Sequence, residues 1–396
     1  MLTSTLPRFA GDMQANFVGE QADAWLEARP ADKITILAPH DSAAFKSEDW
    51  GRLSIRRFRY FRPESWQRLA YPAILPNIRD NPLLALQVPG FLVSQYHAAA
   101  RLARSDTIDL IYAHWVMPQG VVAWLLKRKF GIPYVLQNHS SDLSVFAKLG
   151  AMGRMLARSV MQDAMHFFCV NAAQREFALS FFEGVERDKF AARCTVLPMG
   201  MVLPQTGPAL GDDAYDIATI GRLSRKKGIN YLISACEALA MRGIRPRVAI
   251  AGDGEDRALL EALVARADVT FTGFLAGEDK DRFFLRSKHF AFPAKAADGD
   301  VEGLPVSLIE ALCRGLPVLA TRDTNIEMLP EWPQLRDRVV FVADPADPEA
   351  MERGLENLLT LDPVKASETA EIVGRYRWER LIEEYLAPII RAFERR

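Results

Sequence analysis

Cysteine, unbalanced charge and long apolar runs are what this sequence has little of. Its four cysteines, Cys169, Cys194, Cys236 and Cys313, are widely spread and form no CxxC pair. That argues against a zinc site and suits a reducing compartment. Lys and Arg total 49 against 50 Asp and Glu, a net charge of -1, which excludes a chain basic throughout and built to hold nucleic acid. The longest apolar candidate, "PLLALQVPGFLV", is broken by Gln87, Pro89 and Gly90 and is too short to span a bilayer. The opening "MLTSTLPRFAGDMQ" shows no charged leader followed by an apolar stretch, so the expectation is a cytoplasmic chain without a signal peptide.

What is present reads as two domains. The 396 residues exceed the size at which one hydrophobic core stops growing, and 49% apolar with 25% charged residues is ordinary globular composition. Short runs rich in Val, Ile and Leu alternate with helical periodicity, the pattern of parallel sheets built from βαβ units. In the first half these are "KITILAP", "IDLIYAH", "PYVLQN", "HFFCVN" and "CTVLP"; in the second, "YDIATIG", "PRVAIAG", "VTFTGF", "HFAFPA", "PVLAT" and "RVVFVA". Between the series lies "LPQTGPALGDD", without period and rich in Pro, Gly and Asp, which reads as a linker. The expected fold is α/β, with two Rossmann-like, doubly wound parallel-sheet domains at 1–205 and 206–375. An amphipathic helix at 376–396 is expected to pack back on the first domain. A ligand is expected in the cleft that such domains face, at the carboxyl ends of the strands.

"EGLPVSLIE" places Glu302 and Glu310 eight positions apart around an apolar run. The spacing alone decides nothing, because "EIVGRYRWE", Glu371 to Glu379, repeats it in a solvated helix. The first pair differs in its surroundings. Glu302 falls in the loop after the strand "HFAFPA", Gly303 permits close backbone approach, and Pro305 suits a first helical turn. The unpaired N–H groups at Leu304 to Val306 then form an anion site. A ligand with hydroxyls at both ends and phosphate between them fits: sugar on Glu302, ribose on Glu310, diphosphate on the helix start. A first-turn acid complementing the helix dipole, plus a solvated face, accounts for the segment equally well. "GRLSRKKG" adds Arg222 directly after a strand and Lys227 before a helix-opening glycine, two cations suited to phosphate oxygens.

At these residues the chain resembles the retaining glycosyltransferases of family 4, the group 1 enzymes with the GT-B fold. The likeness runs through "PRFAGDMQANFVGEQA", "HWVMPQGVVAWLL", "LQNHSSD", "GRLSRKKG", "AGDGED", "FTGF" and "DGDVEGLPVSLIEALCRGLPVLAT". Further likeness in "RRFRYFRPESWQRLAYP" points to the bacterial branch that builds surface polysaccharides. The resemblance implies an acceptor-binding first domain and a donor-binding second one. It implies that Arg222 and Lys227 clamp a donor diphosphate, Glu302 meets the donor sugar, Glu310 the ribose, and His139 the reacting sugar. Gly11 would admit phosphate or acceptor, and Phe274 would lie near the base. Two departures stand out: "PMGM" replaces Pro-Asn-Gly-Val-Asp, and "TNIEM" replaces a Gly-Gly-x-x-Glu turn, with Glu327 the matching residue.

Other signals weigh less. "DGD", Asp298 to Asp300, resembles a metal-binding Asp-x-Asp, yet Arg222 and Lys227 already supply the positive charge, so neither metal nor cofactor is expected. "GDGEDR" lacks the third glycine of a dinucleotide fingerprint and reads as a strand-to-helix turn. His114 and His139 both end strands of the first domain, where a histidine is more often structural. From Arg52 to Arg68 six arginines face one acid, Glu64, among aromatics. Arg56, Arg57, Arg59, Arg62 and Trp66 there suit docking on anionic lipid, though a solvated rim also fits. The expected reaction is transfer of a hexosyl unit from a nucleotide-diphosphate sugar to a glycan or lipid-linked acceptor. An epimerase or phosphorylase on the same fold, or an inactive scaffold, are the alternatives.

Overall fold

The computed structural model describes the chain apart from residues 10, 13–15, 140–141, 203–210, 212–213, 298–303 and 395–396. Its contacts define two units, Met1–Gly200 with Trp378–Arg396, and Met201–Arg377. The segment read as a linker lies outside the described residues apart from Gly211.

The first unit carries β1 (Ile34–Pro39), β2 (Ser47–Trp50), β3 (Leu53–Phe58), β4 (Ile111–His114), β5 (Tyr134–Asn138), β6 (His166–Cys169) and β7 (Cys194–Val196). They pair as β1-β3-β2 and β4-β5-β6-β7. Leu2 stitches the two groups together, bridging Leu37 of β1 and Ala113 of β4. Successive strand residues face opposite ways, and the two cores divide accordingly. Ile36, Tyr112, Val135 and Phe168 meet the helices Phe17–Ala28 and Trp378–Glu394. Their neighbours Leu37, Ala113, Leu136 and Phe167 meet Phe91, Val122 and Val160 on the other face. Burial on both faces is why these strands read as unbroken apolar runs. The final helix is tied in by polar bonds as well as by Leu381 and Ile389. Trp378 Nε1 donates to Glu20 at 3.2 Å, and Gln137 Nε2 donates to the Tyr385 hydroxyl at 2.9 Å.

The second unit carries β8 (Tyr215–Ile220), β9 (Arg247–Ala251), β10 (Asp268–Gly273), β11 (Ser287–Phe292), β12 (Val318–Thr321) and β13 (Val339–Val342). All pair in parallel, in the order β10-β9-β8-β11-β12-β13. The order reverses between β8 and β11, which makes their carboxyl ends the switch point where doubly wound sheets bind ligands. Helices Ile229–Met241 and Pro348–Leu359 cover one face through Leu232, Leu239 and Leu355. Helices Gly277–Leu285 and Val306–Cys313 cover the other through Phe284, Leu308 and Leu312. At the switch point the loops after β8 and β11 are pressed together. Gly228 has φ +68°, and a Cβ there would meet the Pro293 carbonyl oxygen at 1.8 Å. Gly252, at φ +130°, sits as close to the Gly221 carbonyl, so "AGDGED" serves as a packed strand-to-helix turn, followed by the helix Arg257–Ala262.

The hairpin β2–β3 was not legible as strand. It also corrects the reading of the arginine-rich stretch. Arg57 is buried, donating to the Pro7 carbonyl and the Tyr71 hydroxyl, so it is not available to a lipid surface. Arg56 pairs with Asp49 at 2.7 Å and Arg59 with Glu64 at 2.9 Å, which neutralises both. Arg62 and Trp66 remain exposed.

Candidate functional site

In the second unit, three elements converge on the switch point. The strand β8 is followed by Gly221 and Arg222, then a tight turn Arg225–Lys227 that ends on Gly228 in the left-handed conformation. Lys227 reaches toward the end of β11, its Nζ 4.9 Å from the centre of the Phe292 ring. Arg222 is directed differently. Its Nε donates to Glu255 in the loop after β9 at 3.0 Å, and its side chain is 40% exposed. The third element is the helix Val306–Cys313, whose N-cap residue Pro305 has no side chain able to cap its first N–H groups. Leu304 and Pro305 lead into it, and Val306 is exposed at its first position.

Glu310 lies one turn into that helix, about 6 Å along the axis from Val306. It is buried, and Lys280 donates to its Oε1 at 2.6 Å. Its Oε2 is buried with no hydrogen-bond partner among the described residues. An unpaired buried carboxylate oxygen is costly, about 1–3 kcal/mol or more, so this atom is poised to accept from a ligand hydroxyl. Lys280 was not legible as a site residue, since it sits on a separate surface helix, Gly277–Leu285. Phe274, immediately after β10, is exposed. In "TNIEM", Asn325 adopts φ +56°, a left-handed conformation that asparagine tolerates and glycine prefers. Glu302, Gly303 and the "DGD" carboxylates lie outside the described residues. No group of three or more metal-ligating side chains occurs among the described residues.

In the first unit the loops after β4 and β5 form one cluster. His114 Nδ1 lies 3.0 Å from His139 Nε2. The His139 ring packs on Trp115 at 4.6 Å and Phe17 at 5.0 Å between centroids. Burial keeps both imidazoles neutral, pulling His139 down to about 3 and His114 well below its usual value. Asp142 ties the loops together, accepting from the Val116 amide at 2.6 Å and from Asn138 Nδ2 at 2.8 Å. Trp115 holds φ +72°, a strained backbone for a non-glycine residue. Strain, a buried carboxylate and a histidine pair in one place mark a built site. Asp142 and Trp115 carried no sequence signal beyond their place in "NHSSD" and "HWVMP". Gly11 has φ +82°, with no atom of the described residues within 4 Å of a Cβ there, and lies in the loop of the Arg8–Asp12 ion pair at 2.8 Å.

Comparison with known proteins agrees with this architecture. Residues 207–376 match the family model "Glycosyl transferases group 1", and residues 15–200 match "Glycosyl transferase 4-like domain". The chain belongs to the group 1 glycosyltransferases, and its fold is GT-B. It is 37% identical over 120 residues to the amylovoran biosynthesis glycosyltransferase AmsK of Erwinia amylovora, across 29% of this chain and 30% of that one. It is 30% identical over 199 residues to the putative colanic acid biosynthesis glycosyltransferase WcaL of Escherichia coli K12, across 49% of this chain and 47% of that one. The matched stretches thus span half or less of these relatives' own lengths. Among solved structures, the E. coli trehalose-6-phosphate structure bound with UDP-2-fluoro glucose superimposes with a TM-score of 0.72 at 14% identity, covering 98% of this chain and 97% of that one. Such low identity speaks for the fold alone.

Proposed function

We propose that this protein is a retaining hexosyltransferase of polysaccharide biosynthesis. It would take a nucleotide-diphosphate sugar as donor and a lipid-linked glycan hydroxyl as acceptor. The observation that carries the reading is the buried Oε2 of Glu310, without a partner among the described residues, on a helix that Pro305 leaves uncapped, at the switch point that Lys227 also approaches. A diphosphate at the helix start and a ribose hydroxyl on Glu310 satisfy both. Negative charge grows on the departing diphosphate, so donors aimed there supply most of the rate. Arg222, Lys227 and the amides from Leu304 to Val306 have that role. Their charge takes the place a metal ion would fill. The family resemblance assigns the donor sugar to Glu302 and the reacting ring to His139. The names of AmsK, an amylovoran biosynthesis glycosyltransferase, and WcaL, a putative colanic acid biosynthesis glycosyltransferase, support the pathway class.

A thermal-shift panel of uridine and guanosine diphosphate hexoses tests the donor. The matching sugar at 100 times its Kd adds about 2.7 kcal/mol of stability. Unchanged melting with every nucleotide sugar and free nucleotide would refute the assignment.

A lipid-linked acceptor requires contact with a membrane surface, and a better candidate than the arginine stretch supports it. From 143 to 162 the chain has no acid and three cations, of which Arg158 is paired with Glu186, leaving Lys148 and Arg154 to face a surface. Leu149, Met152 and Met155 repeat every third residue there and are 57%, 78% and 67% exposed. This face begins ten residues after His139. It suits an anionic bilayer, with apolar side chains entering the interface and each cation adding about 1 kcal/mol. Sedimentation with phosphatidylglycerol-containing vesicles is expected for the wild type and lost in a Met152→Glu, Met155→Glu double variant. Equal binding by both would exclude this face.

A further inference from the structure

The histidine pair of the first unit carries an inference about tautomers. His114 is wholly buried and its Nδ1 meets His139 Nε2 at 3.0 Å, while its Nε2 is buried with no partner among the described residues. Two neutral arrangements satisfy the short contact. In one, His139 Nε2–H donates to His114 Nδ1, and His114 must then carry its proton on Nε2, leaving a buried N–H with no acceptor. In the other, His114 Nδ1–H donates to His139 Nε2, and the orphaned atom is only a lone pair. Orphaned buried N–H groups are the rarer and costlier defect. A third arrangement, with one ring cationic, is opposed by burial. The rings packed around the pair, Phe17, Tyr112 and Trp115, offer neither ring a counter-charge.

We infer that His114 is a positioning residue that donates Nδ1–H to His139 Nε2, fixing His139 as the Nδ1–H tautomer. His139 is half-buried, and Nδ1 is the ring nitrogen that His114 leaves open. The group offered to a bound molecule is then a neutral N–H donor, suited to a sugar hydroxyl or ring oxygen. It is neither a base nor a cation. What that donor faces rests on the transferase reading above; the tautomer itself does not.

Long-range proton–nitrogen correlation spectra of the ¹⁵N-labelled full chain read the tautomers directly, with no substrate present. His139 is assigned from a His139→Asn spectrum. Both His114 and His139 are expected as Nδ1–H forms at pH 7. A His139 protonated on Nε2, or on both nitrogens, would overturn the inference. A His114→Phe variant that retains the wild-type melting temperature is expected to release His139 into a mixture of tautomers. His114→Asn, which can keep a donor near the Nδ1 position, is expected to hold it. An unchanged His139 in the phenylalanine variant also overturns the inference, and if that variant does not fold the wild-type spectrum alone decides. Because no donor or acceptor is needed, a failed donor panel leaves this test intact.

Discussion

Arg222→Ala is expected to lower turnover by about 10² to 10³ while shifting the melting temperature by less than about 3 °C. The two magnitudes come from different interactions. In the free protein Arg222 holds Glu255 through Nε at 3.0 Å, with both side chains well exposed. A surface pair of that kind contributes about 0–1 kcal/mol, so its loss is barely felt in stability. Glu255 uses only Nε, and the forked Nη groups are the part of the side chain suited to phosphate oxygens. In the proposed reaction they act where charge develops on the departing diphosphate, and one such donor is worth about 2.7 to 4 kcal/mol of barrier. Nucleoside diphosphate release from the donor identified by the binding panel measures the effect. Glu255→Ala serves as the contrast: it removes the same salt bridge and is expected to leave turnover nearly unchanged. An Arg222→Ala enzyme retaining wild-type turnover would remove Arg222 from the mechanism.

The features of the second unit's candidate site that the sequence suggested are local ones. Cations directly after a strand, a glycine that closes their turn, and a Gly-Leu-Pro entry to a helix all lie within short stretches. The structure adds what local reading cannot supply. Lys280 meets Glu310 across 30 residues, and His114 meets His139 across 25. Both contacts exist only because particular elements pack side by side. The histidines show this most clearly. Each could be placed at a strand end from sequence, but their contact depends on β4 pairing with β5 in the register that sets His114 opposite Gln137.

The fold divides along the same line. Strands buried on both faces, such as β4, β5 and β6, announce themselves as apolar runs. β2 and β3 do not. "SEDW" is exposed, and "LSIRRF" carries two arginines, one of which is buried because the Pro7 carbonyl and the Tyr71 hydroxyl receive it. A charge neutralised by tertiary partners is indistinguishable in sequence from a charge in solvent. That is also why the basic stretch suggested a docking surface.

Gly228→Ala is expected to cost the second unit heavily. Alanine at φ +68° carries about 1–2 kcal/mol of backbone strain. The larger difficulty is space: the new Cβ would lie 1.8 Å from the Pro293 carbonyl oxygen and 2.8 Å from its carbon. Backbone cannot rotate away as a side chain would, so the loops after β8 and β11 must separate. Lys295 N donates to the Lys226 carbonyl at 3.0 Å across that seam, and this bond opens with them. Overpacking of this kind costs about 1–3 kcal/mol, giving a total near 3 kcal/mol or more, or about 6–12 °C in the unit's melting transition. Gly243→Ala separates the two terms, because Gly243 has φ +86° and open space around its Cβ position. It is expected to show the strain alone. The excess in the Gly228 variant measures how tightly the switch point is closed, and it should be matched by weaker donor binding, since the displaced loop carries Lys227. Equal losses in the two variants would mean that the seam between β8 and β11 is loose, and that the cations and the helix start are not held in one fixed geometry.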